Sequence, residues 1–123
     1  MNQVTSTNHP SYIPRSVLQG NTALLELQIT DPSGQPVDIT SSTLTFVLKA
    51  SSQAADDDEA NTVIETGSDQ LTVLNEALGK VLVTIPNDDA HLAAHGCYWY
   101  HLNVTTAGLV QTAMCGPFYV AAV

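Results

Sequence analysis

The chain has little positive charge. Arg15, Lys49 and Lys80 are its lysines and arginines, against twelve acids, and the formal charge at pH 7 is −9. Such a chain repels a phosphate backbone, so neither DNA nor RNA is expected as a partner. It also lacks a long apolar run. No stretch approaches the ~20 apolar residues that a membrane-spanning helix needs, and Met1 to Pro10 carry neither a basic start nor an apolar leader core. The expectation is a protein with no membrane contact that stays in the cell that made it or leaves by lysis. Aromatic residues are only 6% of the chain, with Trp99 the sole tryptophan, and there are two cysteines, Cys97 and Cys115. There is no glycine-rich phosphate loop and no local Ser/His/Asp or Cys/His motif. No catalytic residue, cofactor-binding residue or metal ligand set is therefore expected, and the chain reads as non-enzymatic.

What is present is alternation. The 123 residues suit one domain with a core that needs no staples. Ser, Thr, Asn, Asp, Gly and Pro fill the gaps between short apolar runs, and long amphipathic helices are missing, which is an all-β composition. Residues 1–11 are polar and aperiodic and read as an N-terminal arm; residues 12–123 read as one β-sandwich domain. Tyr12 to Leu18 is a first strand, placed at a sheet edge by Pro14, whose nitrogen cannot donate to a ladder. Thr22 to Thr30 alternates, with Ala23, Leu25, Leu27 and Ile29 inward and Leu24 breaking the pattern. Asp31-Pro32-Ser33-Gly34 is a type I turn. Thr43 to Lys49 turns Leu44, Phe46 and Leu48 inward and Thr45 and Lys49 outward, with Val47 an apolar exception on the outer face.

Thr62 to Glu65 and Leu71 to Leu74 are short strands around Gly67-Ser68-Asp69. Lys80 to Ile85 and Cys97 to Val104 are two further strands, joined by a segment in which Asn87-Asp88-Asp89 caps one short helix near 88–94 and Gly96 stops it. Tyr98 stands where a tyrosine corner would pin the crossover through its hydroxyl. Thr105 to Gly108 closes a hairpin. Leu109 to Met114 and Phe118 to Val120 follow, separated by a bulge or edge position at Gly116-Pro117. The expected buried set is Leu25, Leu27, Phe46, Val83, Ile85, Tyr98, Tyr100 and Leu102.

Three clusters invite a chemical reading. Asp56-Asp57-Asp58-Glu59 resembles a calcium loop, but four adjacent acids diverge, and no glycine or late bidentate carboxylate completes a six- to eight-oxygen shell; a solvated loop is the better account. His91 and His95 stand four apart with Asp88 one turn earlier, yet no third or fourth ligand is brought over them, His101 being assigned to the outer face with Trp99. A hairpin centred on Thr106 would set Cys97 opposite Cys115, although without an export signal the two thiols are expected to stay reduced.

The order of features is distinctive as a whole: a strand, then Asp31 to Thr40, Leu44 to Lys49, Gly79 to Ile85, a short helix, Gly96 to Val104 and Gly116 to Val120. Over Ser11 to Val120 this resembles the immunoglobulin-like domains of tailed-bacteriophage structural proteins, such as the N-terminal domain of baseplate upper proteins. The resemblance implies an immunoglobulin-like antiparallel β-sandwich and a structural component of the virion, in the tail or baseplate or as a capsid decoration. It further implies assembly in the host cytoplasm and contacts with other virion proteins and copies of the chain itself. That family carries no catalytic residues. The alternative class is a carbohydrate-binding β-sandwich module, for which Trp99 is the single candidate platform, with Tyr119 the other aromatic able to point outward.

Overall fold

The computed structural model describes residues 11–123; the expected arm therefore lies outside the described residues, except for Ser11, which opens the first strand. The strands are β1 (Ser11–Tyr12), β2 (Arg15–Leu18), β3 (Ala23–Gln28), β4 (Thr43–Lys49), β5 (Thr62–Glu65), β6 (Leu71–Asn75), β7 (Lys80–Ile85), β8 (Gly96–Thr106) and β9 (Leu109–Ala121). They make two sheets. The larger has the order β1-β9-β8-β4-β5 with β2 also paired to β9, and the smaller has the order β3-β7-β6. Period-two alternation gives each sheet one apolar face, and the two faces close on each other.

The core follows the alternation closely. Leu25, Leu27, Phe46, Val83, Ile85, Tyr100 and Leu102 are buried, and Tyr98 is half-buried against them. Tyr100 links the large rings, stacked on Phe46 at 5.7 Å between centroids and edge-on to Phe118 at 6.5 Å. Leu24, the residue that breaks the pattern in β3, is 66% exposed. The Asp31 turn forms as expected: the Gly34 amide donates to the Asp31 carbonyl at 2.9 Å, and the Asp31 carboxylate accepts from the amides of Ser33 and Gln35.

Four expectations are corrected. The sandwich is not wholly antiparallel. β1 and β2 run parallel to β9, with Ser11 opposite Met114 and Arg15 opposite Phe118. Parallel partners need a long connection, and here the rest of the domain supplies it. Between the two short strands, Ile13-Pro14 steps over Gly116-Pro117, so Pro14 does lie on a sheet edge.

The short helix near 88–94 does not form; residues 87–94 make successive turns, with Asp89 N donating to Pro86 O and Leu92 N to Asp89 O, both at 3.0 Å. The carbonyls at the end of this segment are bound from outside: Gly20 N donates to Leu92 O, Gln19 Nε2 to Ala93 O and the Tyr98 hydroxyl to Ala94 O. The fully buried Leu92 plugs the end of the sandwich at this point, and tertiary contacts outweigh a five-residue helix, whose nucleation is costly. Tyr98 thus does pin the crossover.

The third correction concerns the last strand, which is continuous through Gly116-Pro117. The irregularity lies instead where the pairing passes from Leu102–Met114 to Asn103–Thr112. Fourth, the tight turn is Ala107-Gly108, with φ of 52° and 83°, the left-handed pair that a two-residue hairpin of the I′ kind requires. Together these place Cys97 opposite Tyr119 and Cys115 opposite His101, so the cysteines are not neighbours; both are free thiols.

Candidate interaction site

The outward face of the larger sheet is not bare. Along β4, Val47 and Lys49 point away from the core, yet both are buried, as is His101, the partner of Val47 on β8. Residues 50–60, expected to be a solvated loop, lie over them. Lys49 Nζ donates to Asp56 Oδ1 at 2.6 Å and to Ala54 O at 3.0 Å. The loop braces itself at its far end, where Asn61 Nδ2 donates to Ala55 O at 2.8 Å and Asp56 O at 3.2 Å. Asp56 is exposed like its neighbours Asp57, Asp58 and Glu59, and it is the one of the four that pairs with Lys49. The hydrogen bond from Lys49 holds the Asp56 carboxyl below the ordinary carboxylate range. Lys49, read from alternation as an outward residue, is buried because the roof comes from a loop that alternation cannot see.

His101 sits in the same pocket. Its Nε2 is buried, has no hydrogen-bond partner among the described residues, and lies 4.0 Å from Asp56 Oδ1. Burial lowers its pKa, with Lys49 adding to the effect and Asp56 opposing it. Across the ladder, burial pushes the Cys115 thiol up, so it too is neutral. Sequence reading assigned His101 to the outer face correctly; the cluster it belongs to had no local motif.

The His91 group is also occupied by protein. His91 Nδ1 lies 3.0 Å from Asp89 Oδ1 and 3.1 Å from Thr62 Oγ1, while Thr62 Oγ1 donates to Asp89 Oδ2 at 2.6 Å. The ring meets Tyr98 edge-on at 5.3 Å. This knot ties the 86–95 turns to the start of β5. His95 is exposed and stands apart from it. Among the described residues no three His, Cys, Asp or Glu side chains come together as a metal group. Tyr119 is exposed and Trp99 half-buried, one register step apart on the outward face of β9 and β8.

What the fold offers a partner is strand edges. β5 closes one side of the larger sheet, and β3 and β6 close the smaller one. Edges of this kind are templates for a further strand, and short strands and bulges blunt them; β5 has four residues and β6 carries an irregularity between Val73 and Asn75. Apolar side chains are exposed near the β8–β9 hairpin, where Leu109 and Val110 stand beside the Ala107-Gly108 turn.

No family model matches the chain, and none of the curated proteins searched matches it. Among solved structures, the fold is similar to the "N-terminal domain of phage TP901-1 ORF48", with a TM-score of 0.54 and 13% sequence identity, over 96% of this chain and 92% of that one. At that identity the likeness is one of fold, and it extends over nearly the full length of both chains.

Proposed function

We propose that the chain is a non-enzymatic structural protein of a tailed-bacteriophage particle, a tail or baseplate component or a capsid decoration, working through contacts with other virion proteins and with copies of itself. The observation that carries the reading is the end-to-end likeness to a phage protein domain. A shared fold does not by itself carry function. The second support is therefore physical: a small sandwich with strand edges on both sheets, whose first strand, Ser11–Tyr12, pairs with β9, and whose sequence before that strand is polar. Extended segments that add to such edges are a recurrent means of joining subunits. In this reading the domain is of the immunoglobulin-like kind, the particle is assembled in the host cytoplasm, and nucleic acid, membrane, metal and cofactor have no part.

The test separates arm from domain. Deleting residues 1–10 leaves β1 whole. The isolated domain is expected to melt within about 2 °C of the intact chain, a shift corresponding to a small fraction of a domain's stability, while incorporation into particles is lost. A large fall in melting temperature with incorporation intact would refute the assembly role of the arm. Particles that never contain the full-length chain would refute the virion reading itself.

A further inference from the structure

We infer that residues 50–60 are an acid-released flap over the outward face of the larger sheet, latched by the Lys49–Asp56 pair and opened when His101 takes a proton. The geometry is specific. Under the loop lie one ammonium, Lys49 Nζ, and one imidazole, His101, and the flap offers them a single carboxylate, already engaged by Lys49 at 2.6 Å. The Nε2 of His101 is 4.0 Å from that carboxylate, too far for a hydrogen bond, and sealed from solvent. A proton placed there would set two cations against one anion in a covered space, with no acceptor in reach for the new N–H. Burying an unpaired charge is costly, and lifting the flap removes that cost by returning the ring to water.

The other groups packed around the ring do not compensate. Cys115 on β9 faces it as a neutral thiol. Val47 on β4 is apolar, and Glu65 on β5 lies one pair further along the outward face, opposite Thr45. The backbone of the flap is suited to movement: its bonds are short-range turns, Ala54 N to Ser51 O, Asp58 N to Ala55 O and Asn61 N to Asp58 O. The latch to the sheet runs through Lys49 Nζ, which holds both Ala54 O and the Asp56 carboxylate. The sign is fixed by linkage. A histidine whose closed-state pKa lies below its ordinary value of 6.5 leaves the closed state fully favoured above that pH and progressively loses it as pH falls toward the depressed value. Asp56, held low by Lys49, stays ionised through that window and does not open the latch first. Opening bares Lys49 and His101, two cationic groups on an otherwise acidic molecule.

Hydrogen exchange of the intact chain, corrected for the intrinsic pH dependence, reads the flap directly. Between pH 7.5 and 5.0, exchange of residues 50–60 is expected to rise several-fold as His101 takes its proton. His101→Gln should abolish the rise. Asp56→Asn, at a solvent-facing side chain that threatens no core, should leave the flap open already at pH 7.5. Unchanged exchange in the wild-type chain, an equal rise in His101→Gln, or a flap in Asp56→Asn as protected as in the wild type would each overturn the inference.

Discussion

At the scale of single residues, one joint is built from atoms that leave no room for alternatives. Tyr100 reaches through the core and donates its hydroxyl to Ile13 O at 2.6 Å, fixing the step between β1 and β2. Burial raises the pKa of that phenol, with Arg15 hydrogen-bonding it and opposing the effect, so it remains a donor at all ordinary pH. Gly116 lies at the same joint because a Cβ there would stand 2.6 Å from Ile13 O and 2.9 Å from Ile13 C. Those are backbone atoms and cannot rotate away. Gly116→Ala is accordingly expected to cost about 1–3 kcal/mol through forced backbone displacement, and Tyr100→Phe about 1–2 kcal/mol for the lost hydrogen bond, both measured by urea denaturation. A neutral Gly116→Ala would mean that the N-terminal strands are not seated as described. Gly79 is constrained in the same way, at φ 66° with Val37 O and Ile29 O both within 3 Å of its absent Cβ.

At the scale of elements, the β8–β9 hairpin carries a mismatch. Ala107 occupies a left-handed position, φ 52°, which costs a residue with a Cβ about 1 kcal/mol and which asparagine fills more readily. Ala107→Asn should raise stability by about 0.5–1 kcal/mol, seen as a higher denaturation midpoint with an unchanged slope; a decrease would place the turn elsewhere. This hairpin also shows what could be read beforehand and what could not. The inward set Tyr100, Leu102 and Val104 was legible because alternation survives any shift by two residues. The pairing partner was not, since it depends on where the turn closes and on the irregularity near Ala113, neither of which has a periodic signature. The covered face escaped for a related reason: Lys49, Val47 and His101 alternate outward as expected, and the loop from Ala50 to Ala60 that meets Lys49 and His101 has no periodic signature. The turns of 87–94 read as a helix because Asp89 and Ala90 to Ala94 have the local chemistry of one, while Gly20 and Gln19, which take its carbonyls, lie about seventy positions away in sequence.

At the scale of the whole molecule, the described residues hold no cluster that would make folding depend on an ion. Asp57, Asp58, Glu59 and His95 face solvent, Asp56 is engaged by Lys49, and His91 and Asp89 by each other and Thr62, while His101, 4.0 Å from Asp56, belongs to no group of three ligand-type side chains. Adding a chelator should leave the melting temperature unchanged, whereas structural metal sites contribute folding free energy outright; a fall of several degrees would reveal a site that the side chains do not suggest.

The parallel pairing of β2 with β9 has a further consequence, in time rather than in space. Arg15 to Leu18 meet partners about a hundred positions later in the chain, so during synthesis the first strands emerge long before the strand that receives them. At ~5–20 residues per second the interval is about 5–20 s. Throughout it the N-terminal segment is tethered but unclaimed, while β3 and the Asp31 turn are already able to fold. Two chains made side by side on one message would have those seconds in which to exchange first strands, and the late arrival of β9 decides whether each chain recovers its own.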